Sequence, residues 1–355
     1  MSGETRRDLL RWSGLAAAGL AAGGPPARQV FAAEGDGFAE FTDKSVRQLR
    51  LGTEFLLKTA HRDGGCGVDI GQPPDIGCTA MVGLALLSQG NTPVEGPRAA
   101  EVRRITSYLL RCVETMPADD ITSAQQTQLQ RKIGRHAHSF FAAVFLSQVL
   151  GEGWDPGPVR QSLSRLIRVI VNAQSKDGDW GSDAWAPVLG TTMGWVSLRA
   201  AHFAGMKVGS SPERTATALV KTMKENLGNE GSWMHTLYKN ATGIRVLYAM
   251  GLEKEEVGIK AFAEVLKLVN QDNTAFAQAG GEEYLAFHLI TETMLQKGGP
   301  DWRTWFPTIR DKIGGVQNAD GSWTGHHCIT SRTFCTAAAC LVLSSPNRFL
   351  PISQP

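Results

Sequence analysis

Gln174-Ser175-Lys176-Asp177-Gly178-Asp179-Trp180-Gly181 returns further along the chain as Gln317-Asn318-Ala319-Asp320-Gly321-Ser322-Trp323. The shared frame is Gln, two spacers, Asp-Gly, one spacer and Trp. A worn copy is Asn229-Glu230-Gly231-Ser232-Trp233, and a more worn one is Arg62-Asp63-Gly64-Gly65-Cys66-Gly67. Self-similarity of this kind marks a repeat architecture, in which each unit packs on its neighbours. The residues suit a turn between helices: glycine takes a positive φ, aspartate caps the chain as it turns inward, and tryptophan packs over the glutamine side chain. Asp177, Asp179 and Asp320 are therefore read as turn residues and not as catalytic acids.

Working outward, residues 159–174 carry Leu163, Leu166, Ile167, Ile170 and Val171 as an apolar stripe at helical spacing, with Arg160, Arg165 and Arg168 off it. That pattern predicts a half-exposed outer helix. Beyond the turn, residues 191–201 are small or apolar with few charges, and the same character returns at 79–87, 139–149, 241–250, 285–294 and 334–343. Segments without a polar face suit helices buried on nearly all sides. They recur about every fifty residues, six times, each paired with an outer helix such as 101–112, 212–226, 257–268 or 302–313. The fold class is all-α: about six helix pairs, in an inner and an outer ring. A simple bundle gives every helix one wet face and does not accommodate this alternation.

The N-terminus stands apart. Thr5-Arg6-Arg7-Asp8-Leu9-Leu10-Arg11 precedes a mildly apolar stretch at 15–22 and the small-residue pattern Val30-Phe31-Ala32. This reads as a signal peptide over residues 1–32, followed by a linker at 33–46 and one repeat domain at 47–355. The paired arginines ahead of two leucines look like a twin-arginine export signal, which implies a periplasmic or other extracytoplasmic location. Loss of residues 1–32 removes Arg6, Arg7, Arg11 and Arg28 together with Glu4 and Asp8, so 36 basic and 34 acidic residues become 32 and 32. A neutral chain with no Lys/Arg run lacks the electrostatic footprint of phosphate-backbone binding, which argues against nucleic acid as a partner. No later stretch reaches the roughly 18 uninterrupted apolar residues of a membrane helix. Six cysteines in an exported chain permit disulfides, with Cys66 and Cys78 able to bridge a turn and Cys328, Cys335 and Cys340 grouped near the end. Buried thiols on helix faces are the other reading. Asp119-Asp120, after Met116-Pro117, reads as a solvated pair in a polar connection.

No nucleophile elbow, Gly-rich phosphate loop or Cys-x-x-Cys motif supports a hydrolase, nucleotide-binding or redox reading. Attention falls instead on the residues just ahead of each inner segment, since in concentric rings those positions face a shared opening. They are Asp75, Arg135-His136-Ala137-His138, Asp183-Ala184-Trp185, His235-Thr236-Leu237-Tyr238-Lys239, Glu282-Glu283-Tyr284 and His326-His327-Cys328. Counting His288, six of the eight histidines lie at or within a turn of such a position, and that clustering is the strongest hint of chemistry. The candidate catalytic groups are His138, Asp75, Glu282, Glu283 and His327, with Glu282 or Glu283 beside His138 as one acid–base pairing. Trp185, Tyr238 and Tyr284, with Arg135 and His136, are the candidate substrate contacts; the aromatics are read either as a wall for an apolar ligand or sugar ring, or as core. His136 with His138, or His326-His327-Cys328 with Glu283, offer nitrogen, sulfur and oxygen donors to zinc. No other cofactor is expected.

With these turns placed between outer and inner helices, the chain resembles, over about residues 47 to 350, the prenyltransferase and squalene-oxidase repeat family. The family's turn is often called the QW motif, and the family includes triterpene cyclases and protein prenyltransferase β-subunits. The resemblance implies an α/α toroid with a central cavity for an apolar, isoprenoid-like ligand. Asp75-Ile76-Gly77-Cys78-Thr79-Ala80 resembles the segment in which triterpene cyclases carry their proton-donating aspartate; aligned on Thr79-Ala80, the donor falls on Gly77 and only Asp75 matches. The zinc-binding histidine of protein prenyltransferases falls on Thr336, with no Asp-x-Cys pair ahead of it, while His138 stands where the family places a diphosphate-contacting histidine. Two further readings are a non-catalytic envelope scaffold that binds protein at its rim and a polysaccharide-active toroid with carboxylates and aromatics at its mouth.

Overall fold

The computed structural model describes residues 39–117, 126–152, 155–180, 184–226, 237–238, 241–268 and 276–353. The proposed signal peptide, the turn copy at 229–233, Asp119, Asp120, Asp183, His235 and Lys239 lie outside the described residues. In chain order the helices are α1 (Asp43–Lys58), α2 (Ile76–Leu87), α3 (Ala99–Thr115), α4 (Gln128–Lys132), α5 (Ala137–Val149), α6 (Pro156–Ala173), α7 (Pro187–Phe203), α8 (Ser211–Asn226), α9 (Ile244–Ala249), α10 (Glu256–Leu268), α11 (Gly281–Lys297), α12 (Gly299–Gly315) and α13 (Arg332–Ser344). Among the described residues there is no strand, only two isolated bridges. The chain is all-α. Helix α1, with a Thr42–Ser45 capping box, begins inside the stretch that the sequence reads as linker.

Two kinds of helix alternate, for the reason the patterning suggests. In α6, Val159, Leu163, Leu166, Ile167 and Ile170 are buried, whereas Arg160 and Arg168 are exposed. In α5 every residue is buried, and in α2 every residue but Ile76. Each wet-faced helix packs on a buried one: α1 on α13, α3 on α2, α6 on α5, α8 on α7, α10 on α9 and α12 on α11. The buried helices also pack on one another, α2 on α5, α5 on α7, α7 on α9 and the 3-10 turn Ala241–Gly243 before it, α9 on α11, α11 on α13 and α13 on α2. Small residues permit close approach: a Cβ on Gly83 of α2 would fall 2.4 Å from the Phe145 ring of α5. Burial of each such ring stabilises the fold by about 1.5–3 kcal/mol.

The two best-kept turns are superimposable in their hydrogen bonds. Trp180 Nε1 donates to Ile170 O at 2.7 Å and Trp323 Nε1 to Ile313 O at 2.8 Å, in both cases ten residues back. Gln174 Nε2 donates to Gly178 O and Gln317 Nε2 to Gly321 O, both at 2.9 Å. Each glutamine also reaches the neighbouring wet-faced helix, at Ser211 O and Gln48 O respectively. Gly178 and Gly321 have φ of 98° and 89°, and a Cβ on either would strike the backbone carbonyl of Arg214 or Leu51. Only glycine meets both demands. The tryptophan rings lie against glycines, Trp180 on Gly194 and Trp323 on Gly52, and Gln174 further donates to Thr215 Oγ1 and accepts from Ser211 Oγ and Arg214 Nε. A third turn, at the worn copy, repeats only the backbone bonds: His61 N on Gly65 O and Gly64 N on His61 O match Ser175 N on Asp179 O and Gly178 N on Ser175 O, and Asn318 N on Ser322 O and Gly321 N on Asn318 O. Asp320 accepts from Ser322 N and pairs with Arg332, a structural role.

All six cysteines are free thiols, four of them buried; Cys78, Cys112, Cys335 and Cys340 lie on helices, whereas Cys66 and Cys328 lie in loops. Burial pushes the Cys66 thiol up to about 12, partly offset by Thr59.

Candidate functional site

The acidic start of α11 meets the loop ahead of α13. Two backbone hydrogen bonds zip them together, His326 N to Ala279 O at 3.1 Å and Gly281 N to Ile329 O at 2.9 Å. The approach is close enough that a Cβ on Gly280 would fall 2.6 Å from His327 O. Cys328 sits at the crest of this loop with φ of 52°, in the left-handed region that non-glycine residues seldom occupy. Strain of this kind persists where the surroundings fix it, and it clusters at functional sites.

Glu282 and Glu283 lie in the first turn of α11, where the helix dipole favours negative charge, and both are fully buried. Glu282 Oε2 accepts from Ile329 N at 3.1 Å, and Glu283 Oε2 accepts from Gly280 N at 2.7 Å. His327 Nε2 stands 3.6 Å from Glu283 Oε2. Burial, reinforced by the charge of Glu282, pushes the Glu283 carboxyl up to about 8 despite the Gly280 and Glu283 backbone N–H groups. Glu282 Oε1, Glu283 Oε1 and His327 Nε2 are buried without a hydrogen-bond partner. One ligand atom each from Glu282, His327 and Cys328 lies within 4.8 Å of the others. Burial and the adjacent Glu282 carboxylate push the Cys328 thiol up to about 11, with Lys132 pulling the other way.

An aromatic and cationic rim adjoins this cluster. Lys132 Nζ stands 4.7 Å from the centre of the Trp185 ring. Trp185 is 53% exposed, whereas Tyr238 is buried. Burial pushes the Tyr238 phenol up to about 12 against a hydrogen bond with Trp185, and the charges of Glu283, Glu282 and Cys328 add to the rise.

The short helix α4 ties the rim together. Its cap, Thr127, forms a capping box with Gln130. Thr127 Oγ1 also meets His138 Nε2 at 3.2 Å, Gln128 bonds Thr330, and Lys132 O accepts from Ala186 N. Under α4 lies the second acid–base pair. Asp75 caps α2 through Oδ1, which accepts from Cys78 N at 2.8 Å, and its Oδ2 is 3.4 Å from His138 Nε2. Both side chains are buried. Burial alone would raise the Asp75 carboxyl, but His138 and the Cys78 N–H outweigh it and hold the group below its ordinary value.

The candidate residues thus separate into two pairs. His138 meets Asp75, not Glu282 or Glu283 as one sequence reading had it, and Glu283 meets His327. Among the described residues the donor set that converges contains Glu282 in place of Glu283, and neither His136 nor His138 joins it. Tyr284 is 2% exposed, with its ring edge-on to Phe287, and belongs to the core, not to a ligand wall. His136 precedes α5 half-buried, and Arg135 is exposed, its carbonyl accepting from Gln130 Nε2. Gly77 cannot stand in for a proton donor, and a side chain there would have to displace Leu129 of α4, since a Cβ would fall 2.4 Å from its Cδ1. Lys132 and α4 escaped the sequence reading, although Thr127-x-x-Gln130 is a capping-box signature.

Between the buried helices, Met81, Leu84, Phe141, Met193, Leu289 and His288 help line a cavity with room for about one water molecule. No family model matches the chain, and comparison with curated proteins finds no match.

Proposed function

We propose that the wet-faced and buried helices are the outer and inner rings of an α/α toroid of the terpenoid-cyclase and prenyltransferase kind. In this reading the exported chain binds an apolar, isoprenoid-like molecule at the mouth of the ring. The circuit of contacts from α2 through α5, α7, α9, α11 and α13 back to α2 supports the ring. Trp185 carries the ligand reading: a half-exposed indole stands beside a lysine and a buried tyrosine, next to a buried carboxylate pair. An apolar body would lie on the indole while a hydroxyl or anionic end turns to Lys132.

Titration of tryptophan fluorescence and native mass spectrometry, with polyprenyl alcohols and separately with uronic-acid oligosaccharides, test this. Saturable binding of a polyprenyl alcohol, weakened at least tenfold by Trp185→Ala in a protein of unchanged helicity, is the expected result. Binding of the glycan instead, or of neither, overturns it. Export is tested separately, since replacing Arg6 and Arg7 by lysine is expected to hold the chain in the cytoplasm. The small size of the cavity beside Met81, Phe141 and Leu289 favours a second reading, a scaffold that binds protein at its rim; there, Trp185→Ala weakens capture of an envelope protein and no small molecule binds.

A further inference from the structure

We propose that Glu282, His327 and Cys328 form a zinc site at the junction of α11 and the loop before α13, with one coordination position left open. The three donors already converge, one ligand atom each lying within 4.8 Å of the others. Tetrahedral zinc bonds of about 2.0–2.3 Å would draw them together by small side-chain rotations. The donor set suits the metal: a thiolate and an imidazole select zinc over hard cations such as magnesium and calcium.

Four features argue that the convergence is built. Glu282 is fully buried and no N–H or O–H group donates to its Oε1, with only the weak thiol donor of Cys328 against the carboxylate, a costly arrangement for a group that faces only protein. Its Oε2 is held by Ile329 N, which fixes the direction in which the orphaned oxygen points. Cys328 is kept at φ of 52° by a loop anchored on one side to Ala279, just ahead of α11, and on the other to Gly281, its first residue, so the thiol is aimed by backbone hydrogen bonds. His327 Nε2 has Glu283 at 3.6 Å, where a metal-ligating histidine ordinarily keeps a carboxylate that orients its ring. With no metal, a thiol faces a buried carboxylate; with zinc, the thiol gives up its proton and both negative groups gain a counter-charge.

Three protein ligands are the pattern of a reactive zinc and not of a closed structural one. The fourth position would take water or the polar end of a bound molecule, and the rim of Lys132, Trp185 and Tyr238 adjoins it. That last assignment rests on the mouth reading above, whereas metal binding itself does not.

The full chain, incubated with zinc and desalted, is expected to retain one zinc per molecule by elemental analysis. Its cobalt(II) form should show a thiolate-to-metal charge-transfer band in the near ultraviolet. Cys328→Ser should abolish the band, and His327→Gln and Glu282→Gln should each weaken zinc binding at least tenfold in competition with a chromogenic chelator. Cys112→Ser, which removes a thiol on α3, should leave both readouts unchanged. Zinc should also raise the Tm of the wild type and not that of Cys328→Ser. Substoichiometric zinc in the wild type, or a band that survives Cys328→Ser, overturns the proposal. If Cys328→Ser fails to fold, Glu282→Gln decides, since it keeps size and shape: undiminished affinity in that variant is equally fatal. Failure of the polyprenyl panel with zinc bound rejects the ligand and keeps the metal; the reverse outcome does the opposite.

Discussion

Arg245 Nε lies 3.4 Å from Glu292 Oε2, with both side chains buried between α9 and α11. The pair anchors the C-terminal segment. Arg245 donates through Nη2 to Ile352 O at 2.8 Å, Ser353 Oγ donates to Glu292 Oε1 at 2.6 Å, and Ile352 N donates to Gln148 Oε1 at 3.2 Å. A buried ion pair is expensive to break from one side, because the partner is left charged and unsolvated. Arg245→Met should cost about 3–5 kcal/mol. Arg245→Met combined with Glu292→Leu should cost less than the two single changes added together. Urea denaturation of the three variants measures this, and additive losses would show that the pair is not the anchor.

The tail itself can be removed. Ending the chain after Leu350 takes away the 3-10 turn Pro351–Ser353, with the Ile352 carbonyl and the Ser353 hydroxyl, while leaving every α-helix intact. The loss of these hydrogen bonds to charged groups should lower stability by about 2–4 kcal/mol. Because the Arg245–Glu292 pair then faces water, the truncated chain should also exchange the amides of α9 faster by hydrogen exchange, with α2 unaffected.

Asp75 gives the fold an acid limb. Its folded carboxyl lies below the ordinary value, so it contributes stability that is complete above the unfolded value of about 3.9 and is lost as pH falls through the folded one. Asp75→Asn removes that limb; it keeps a side-chain oxygen to cap α2 but takes away the charge that His138 meets, at a cost of about 1–2 kcal/mol near neutrality. Thermal melts between neutral pH and pH 3 should show the gap between wild type and variant narrowing on the acid side. A gap that stays constant would mean that the carboxylate is not held down by His138 and the Cys78 N–H.

What the sequence disclosed and what it hid follow from range. The alternation of α6 with α7 is local composition, since Arg160 and Arg168 cannot be buried and residues such as Gly194 and Trp195 need not be exposed. The turns at Gly178 and Gly321 are also local, because a positive φ restricts the residue type. The site is not local. Glu282 and Glu283 are neighbours about 100° apart around a helix, and only the loop laid across α11 decides which one faces Cys328. The His138 partner was misread for the same reason: Asp75 lies on another helix, and nothing in either stretch specifies their pairing. Helix α4 is five residues long, too short for any periodicity, and its capping box was its one legible sign.

Gly77 offers a sharper steric test. Gly77→Asp should destabilise the protein by more than 3 kcal/mol, because it adds a buried carboxylate beside Asp75 and drives Leu129 outward. Adding Leu129→Ala should recover part of that loss by opening the space above α2, even though Leu129→Ala alone is destabilising. A Gly77→Asp protein as stable as the wild type would mean that α4 is not held against the start of α2.

The paired turns allow one comparison within a single chain. Trp323→Phe and Trp180→Phe each keep most of an apolar ring and delete one indole N–H, which leaves Ile313 O or Ile170 O without its partner. Each substitution should cost about 1–3 kcal/mol, the charge for an unsatisfied buried carbonyl plus the lost ring volume. Because the two turns use the same bonds ten residues apart in register, their costs should agree within about 1 kcal/mol in urea denaturation. They sit far apart in the chain with no shared partner, so the double variant should lose the sum of the two. Unequal costs, or a double variant far from additive, would show that the repeated sequence frame does not perform the same task at both places.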